Sequence, residues 1–380
     1  MKIRPFHVEQ WIDRYEATAK YNIAETCVNP MTLDELFALT GEDKDAFIQR
    51  MFSTQMTYGP IEGGDQFRDG VSKLFKTVKP DEVLETQGAI GANYLLLMSL
   101  VEPEDEVVSV LPTYQQLYSI PESIGATVKT VPLNKENNFL PDLELMRKLV
   151  TYKTKIININ NPNNPSGAVL SEKMLREIVN IARSVGAYVL CDEVYRGLTH
   201  DGSPTPSIVD LYDKGISVGS MSKVFSLSGL RTGWIVSHAP EIKKLCHFHR
   251  DYSVITCGVV HDMLAGIALQ HADKILERNR TIVRNNYKIL EDWVATHPEL
   301  SVFKPTAGTT AMVYFDLPVD GWEFCQTLID EYNTLVTPGE CFETPNSIRV
   351  GYACSEKELR DGLAQVDKYL ATFQMLEASN

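Results

Sequence analysis

The chain has no hydrophobic run long enough to cross a bilayer, since its most apolar stretch, residues 94–101, is far too short. Its first residues, Met1-Lys2-Ile3-Arg4-Pro5-Phe6-His7, contain no apolar signal core. Paired cysteines are missing too: Cys27, Cys191, Cys246, Cys257, Cys325, Cys341 and Cys354 are odd in number and scattered, with no C-x-x-C. That excludes a disulfide framework or a thiolate zinc site and fits reduced thiols, so the expectation is a soluble cytoplasmic protein. Positive charge is scarce: the formal net charge of -14 disfavours nucleic acid and anionic membranes as partners. Internal repeats, low-complexity tracts and Gly/Ser-rich linkers are also absent. A dinucleotide fingerprint is not met, because Gly88-Ala89-Ile90-Gly91-Ala92-Asn93 departs from G-x-G-x-x-G and no acidic partner follows at a βαβ distance. His247 and His249 flank Phe248 without a carboxylate or cysteine pattern, so no metal is expected.

What is present is ordinary globular material. The 380 residues, 44% hydrophobic and 23% charged, can bury a sizeable core and suit one large domain plus a smaller one. Short apolar runs at 106–111, 127–132, 155–160, 188–191, 216–219 and 233–237 read as strands, with helix patterns at 90–100, 143–149 and 172–184 between them. Near-continuous apolar strands separated by helices predict an α/β fold with a mainly parallel sheet covered on both faces. Residues 273–296 read as one long helix, 311–316 and 347–352 as strands, and 356–373 as a closing helix, which together make a smaller α+β part. The arm up to residue 45 has no core of its own. This assigns 46–272 to a large domain and 1–45 with 273–380 to a small one.

Polar clusters fall at the strand ends, where ligands of such sheets bind. Gln87-Gly88-Ala89, the run from Asn160 to Gly167, Asp192-Glu193-Val194-Tyr195 and Ser220-Met221-Ser222-Lys223 each end a strand. Lys223, flanked by small hydroxyl residues, is a candidate Schiff-base former. Arg231, in Gly229-Leu230-Arg231-Thr232-Gly233-Trp234, suits a phosphate, whose oxygens accept bidentate hydrogen bonds. An amine plus a phosphate clamp points to pyridoxal 5′-phosphate (PLP). Asp192, at the end of an apolar strand, is costly to bury unless paired with a cation. A protonated pyridine nitrogen would serve, Arg196 is a second partner, and a helix cap is a third role. Asn164 and Tyr195 can hydrogen-bond a phenolate oxygen, although Asn164-Pro165-Ser166-Gly167 also reads as an ordinary turn. Gly88 and Ala89, at a helix start, can hold a phosphate by their backbone N–H groups. Tyr114 can stack on a planar ring or fill a core. Arg349 can bind a substrate carboxylate or lie solvated on an edge strand.

In order over residues 55–350, Tyr58, Gly88-Ala89, Tyr114, Asn164-Pro165-Ser166-Gly167, Asp192-x-x-Tyr195, Ser220-x-Ser222-Lys223, Arg231 and Arg349 resemble the class I/II aminotransferases. These are PLP enzymes of fold type I. The resemblance implies a Schiff base at Lys223, which also shuttles the substrate proton, with Asp192 on the pyridinium. It implies Tyr195 and Asn164 on the phenolic oxygen, Tyr114 on the ring, and Gly88, Ala89, Ser220, Ser222 and Arg231 on the phosphate. Arg349 and Asn164 would then meet an amino acid substrate whose amino group passes to a 2-oxo acid. A homodimer is implied as well, with Tyr58 reaching the neighbour's phosphate. The rival is a PLP lyase acting by β-elimination, such as a carbon–sulfur lyase or a cyclising enzyme similar to capreomycidine synthase, because the same lysine serves both. A catalytically silent sensor built on this fold would carry a DNA-binding domain, for which the arm before Tyr58 leaves no room.

The chain departs from the family in its arm. Many relatives have a glycine-containing segment where this chain has Asn22-Ile23-Ala24-Glu25-Thr26-Cys27-Val28-Asn29-Pro30. Glu25 or Thr26 is expected to face the substrate side chain, with Glu25 favouring a cationic or polar amino acid. A glutamate exposed in a loop is the alternative. Arg250 and Tyr252 are further candidates for the pocket edge, where Arg250 would capture a second carboxylate and reverse that preference.

Overall fold

A seven-stranded sheet organises the larger part of the molecule, a computed structural model that describes residues 2–377. Its strands are β1 (Val83–Thr86), β2 (Glu106–Leu111), β3 (Thr127–Pro132), β4 (Thr154–Asn160), β5 (Tyr188–Asp192), β6 (Gly215–Ser220) and β7 (Gly233–Ser237). The spatial order is β1-β7-β6-β5-β4-β2-β3, and every pairing is parallel except the two made by β7. The expected α/β architecture is therefore present.

The apolar runs are continuous because both faces are covered. Ile156 and Leu190 point to one apolar cluster, together with Ala92, Leu96 and Leu97 of the helix Gly88–Leu100. Their neighbours Ile157 and Val189 point to the other, with Leu175, Ile178 and Ala182 of the helix Glu172–Val185. This is the two-residue alternation of a strand, with each face meeting its own helices. Truncating a fully buried residue such as Ile157 to alanine would cost about 2–5 kcal/mol.

One helix on the sheet escapes the sequence pattern. Gln116–Ile124 is helical although Pro121 lies inside it, and a proline there removes the N–H that would bond the carbonyl four residues back. That carbonyl belongs to Leu117, and it accepts instead from Asn158 Nδ2 of β4 at 2.6 Å. A buried side chain on the neighbouring strand thus replaces the missing donor.

The smaller part holds β8 (Leu300–Val302), β9 (Thr310–Phe315), β10 (Thr337–Pro338) and β11 (Ser347–Gly351) in the antiparallel order β10-β11-β9-β8. The long helices Ala272–Ala295 and Glu356–Glu377 accompany it. The N-terminal arm joins this part: Tyr21–Asn22 pairs in parallel with Thr334–Leu335. The arm also contains the helix His7–Tyr15, which buries Val8, Trp11 and Tyr15. Trp11 Nε1 donates to Val336 O at 2.8 Å, so this helix is held by tertiary contact with the small sheet. Among the described residues no helix is long and apolar enough to cross a membrane.

Candidate active site

Three adjacent parallel strands end in polar residues at one rim: β4 in Asn160, β5 in Asp192 and β6 in Ser220. The antiparallel β7 brings its first residue to that same rim, where Gly233 pairs with Ser220 on one side and Thr86 on the other. Arg231, two residues before Gly233, therefore lies beside the start of the helix Gly88–Leu100. A cleft of about 280 Å³ opens over the rim, with the N-terminal helix and residues 24–27 contributing to its walls. That size suits a small molecule.

Lys223 is half-buried in this cleft. Its Nζ donates to Thr26 Oγ1 at 2.5 Å and lies 3.7 Å from Cys27 Sγ. The turn carrying it is tied down by Met221 N to Thr232 O at 2.9 Å and Leu227 N to Met221 O at 3.0 Å. Burial works against charge on the amine, but Cys27, Tyr195 and Glu25 around it outweigh burial and raise the lysine above its ordinary value.

Asp192 is 3% exposed, and among the described residues no cation forms an ion pair with it. Its Oδ2 accepts from Asn93 Nδ2 at 2.8 Å and its Oδ1 from Val194 N at 3.2 Å. Burial pushes this carboxyl up to about 6. Arg196, the alternative partner, pairs instead with Glu193 at 3.1 Å, which removes the salt-bridge role considered for Asp192. Asn160 braces the site from the next strand, with Nδ2 donating to Asp192 O at 2.9 Å and Oδ1 accepting from Asn164 N at 2.6 Å. Tyr195 is buried in the cleft wall, and burial raises its phenol. Tyr114 also lines the cleft, its hydroxyl donating to Glu9 Oε1 at 2.5 Å and its ring 4.8 Å from that of Phe6.

The phosphate-type cluster assembles from three separate segments. Ala89, Ser220, Ser222 and Arg231 line the cleft. Gly88 adjoins them: a Cβ built on it would meet Arg231 Nη2 at 3.1 Å, and its φ of +68° lies in the left-handed region that favours glycine. Gln87 provides no side-chain cap to the first N–H groups of this helix. Arg231 Nη1 donates to Ser228 O at 3.0 Å, and no carboxylate forms an ion pair with it among the described residues. Tyr58 is 75% exposed and does not line the cleft.

Arg349 is 2% exposed on β11, an interior strand of its sheet, so the solvated edge position is not what occurs. Its Nη1 donates to Asn164 Oδ1 at 3.2 Å and its Nη2 to Ala24 O at 3.1 Å and Thr337 Oγ1 at 3.2 Å, while Nε has no partner. Glu25 is half-buried at the cleft, with Oε1 accepting from Thr26 N at 2.8 Å and Cys27 N at 2.9 Å. Arg250 is 1% exposed and donates to the carbonyls of Glu85 and Ile61, away from the cleft. Tyr252 is 86% exposed, also outside it. Neither edges the pocket.

Sequence reasoning gave no role to Asn93, Cys27, Ser228 or Glu9, and saw Asn160 only as the first residue of a strand-end cluster. Asn93 carried a usable signal: a lone amide in the apolar stretch from Ile90 to Leu97 needs a buried partner. Glu9 carried none, because nothing local tells which face of a surface helix looks into a cleft.

A mostly parallel sheet flanked by helices is the fold of the PLP-dependent aminotransferases of fold type I, which this chain matches. The chain belongs to the family Aminotransferase class I and II, whose pattern it matches over residues 27–366. A PLP-dependent aminotransferase from Streptococcus suis 89-1591 has a similar structure, with a TM-score of 0.95 and 43% identity, covering 98% of this chain and 99% of that one. Capreomycidine synthase from Streptomyces vinaceus is 30% identical, over 96% of this chain and 93% of its own. An aspartate aminotransferase from Thermotoga maritima is 28% identical, over 87% and 86%. The cofactor of the family is pyridoxal 5′-phosphate, and the residues present fit it. Among the described residues, the buried Asp192 carboxylate has no ion-pair cation, the helix start uncapped by Gln87 lies beside a guanidinium with no ion-pair carboxylate, and Asn93 Oδ1 is buried without a hydrogen-bond partner.

Proposed function

We propose that the chain is an aminotransferase that moves the amino group of an L-amino acid to a 2-oxo acid, with Lys223 as the amine that carries the cofactor. One observation carries this reading. Lys223, a buried carboxylate (Asp192) and a buried guanidinium (Arg349) share one cleft, and among the described residues neither of the last two forms an ion pair. Bound PLP supplies an electron-accepting ring that makes the substrate's Cα–H bond acidic. Asp192 would hold a proton on the ring nitrogen, Tyr195 and Asn164 would serve the phenolic oxygen, and Tyr114 would pack on the ring. Gly88, Ala89, Ser220, Ser222 and Arg231 hold the phosphate. Arg349 takes the α-carboxylate, which fixes the rotation about the Cα–N bond. Lys223 then takes and returns the proton at Cα.

The same reading divides the chain into a cofactor-holding part, residues 46–272, and a smaller part made of 1–45 and 273–380. The pairing of Tyr21–Asn22 with Thr334–Leu335 supports it. Exposed apolar side chains at Phe52, Met56, Tyr58 and Ile61 support a homodimer in which Tyr58 reaches the neighbour's phosphate. The free cysteines, all buried, fit a reducing compartment such as the cytoplasm.

The likeness to capreomycidine synthase favours a second reading, elimination or cyclisation on the same residues. Incubation of the PLP-loaded protein with single amino acids separates the two. Conversion of the pyridoxal absorbance band to the pyridoxamine band, reversed by a 2-oxo acid, supports amino-group transfer. Release of ammonia and an oxo acid or cyclised product without an acceptor supports the second reading. No cofactor band with Lys223 intact would overturn both.

A further inference from the structure

Three cations line the cleft among the described residues, and each has a partner in the reading above: Lys223 the cofactor carbonyl, Arg231 the phosphate, Arg349 the α-carboxylate. Arg250, the remaining candidate for a second substrate carboxylate, is spent on backbone carbonyls elsewhere. The acids balance differently. Asp192 serves the ring nitrogen, but Glu9, Asp13, Glu16 and Glu25 also line the cleft. None of these four has a salt-bridge partner among the described residues.

Their placement is not scattered. Glu9, Asp13 and Glu16 follow the four- and three-residue steps that align side chains on one helix face. The opposite side of that helix is pinned to the small sheet through Trp11. Glu25 approaches from the arm, its Oε1 held by two backbone N–H groups. The four are close enough to act on one another: burial and then the charges of Glu25, Asp13 and Glu9 raise the carboxyl of Glu16. Lys223 acts on Glu25 and Glu16, and Arg349 on Glu9 and Glu25, but none of these pairs comes within ion-pair distance, so like charges gathered here still gain from a further cation brought to them.

An independent observation supplies the other end of the ligand. Arg349, 2% exposed and lining the same cleft, has an Nε without a hydrogen-bond partner and forms no ion pair among the described residues. It calls for a carboxylate, and the acids call for a positive group at a distance from it. An α-amino acid with a cationic side chain carries both.

Resting on the aminotransferase reading for the chemistry, we propose that Glu9, Asp13, Glu16 and Glu25 form an acidic arc that selects L-amino acids with a guanidinium or ammonium group at the end of the side chain. L-Arginine and L-ornithine belong to this class; L-aspartate and L-glutamate are repelled from it.

The test uses the PLP-loaded full chain and the pair L-arginine and L-citrulline, alike in shape but only one charged. Spectral titration reads the Kd of each, and steady-state assays with a 2-oxo acid read kcat/KM. L-Arginine is expected to exceed L-citrulline by about tenfold or more in both, the value of one charge-assisted contact. In Asp13→Asn/Glu16→Gln, and separately in Glu25→Gln, that ratio falls by about tenfold. Melting temperature and PLP absorbance establish that each variant is folded and loaded. A wild-type ratio near one, an unchanged ratio in both folded variants, or a preference for L-aspartate or L-glutamate overturns the arc. If arginine binds better than citrulline but no amino group reaches any 2-oxo acid, the aminotransferase reading fails and the arc stands. If many amino acids are transaminated without regard to charge, the arc fails and that reading stands.

Discussion

Asn93 Nδ2 donates to Asp192 Oδ2 at 2.8 Å, joining the helix Gly88–Leu100 to the end of β5 inside the core. With Val194 N on the other oxygen, this bond sets the plane of a carboxylate that has no ion-pair partner among the described residues. The arrangement is costly without a ligand. The folded protein keeps a proton on Asp192 up to about pH 6, whereas the unfolded chain releases it near 3.8. Across that window the folded state binds more protons, so the stability of the cofactor-free protein falls as pH rises, by an amount on the order of 3 kcal/mol. Asp192→Asn removes this loss. Urea unfolding of the cofactor-free proteins should show the variant gaining on wild type as pH rises from about 4 to about 7. The variant should nonetheless bind PLP more weakly and lack transfer activity.

Lys223→Ala should abolish amino-group transfer while leaving the fold and the phosphate contacts in place. Borohydride treatment of the loaded wild type fixes the cofactor to the chain, and peptide mass mapping should place it on Lys223. The variant should release all its cofactor on denaturation after the same treatment. Label retained elsewhere in the variant would remove Lys223 from its role.

Gly233 sits where β7 meets the helix start, and a Cβ there would lie 2.5 Å from Gly88 C and 2.8 Å from Ala89 N. Those are backbone atoms and cannot step aside cheaply. Gly233→Ala should lower the melting temperature and weaken PLP binding together. Arg231→Ala should weaken PLP by about 10- to 100-fold, the loss of charge-assisted hydrogen bonds. Affinity for pyridoxal, which has no phosphate, should change little, so titration of the cofactor-free protein with both compounds separates the two effects.

Arg349→Lys keeps the charge but loses the planar fork, and lysine cannot replace the contacts to Asn164, Ala24 and Thr337 together. The KM for amino acid substrates should rise by about 10- to 100-fold. Amines without a carboxylate should react no worse with the variant than with wild type. An equal loss on both would place Arg349 in a structural role.

The local pattern already marked the strands, because a strand covered on both faces is apolar at most of its positions, as Ile156, Ile157 and Ile159 of β4 are. It also marked the rim. A polar residue closing an apolar run, as Asp192 and Asn160 do, has to sit where the sheet ends. Lys223, Arg231 and Arg349 were legible for a related reason: their chemistry has few other uses among small or apolar neighbours.

Tertiary structure alone decided which of these groups meet. Arg231 reaches the helix start at Gly88 because β7 runs against its neighbours, and strand direction is not written in any single run of residues. Arg196 turned to Glu193 and left Asp192 to Asn93, a choice made by side-chain reach around one turn. Arg250 was withdrawn to backbone carbonyls, and the N-terminal helix brought Glu9, Asp13 and Glu16 to the cleft. Periodicity records only whether a side chain is buried. The partner it finds, as with Asn93 and Asp192 or Thr26 and Lys223, depends on how distant segments cross, and that follows from packing the whole chain.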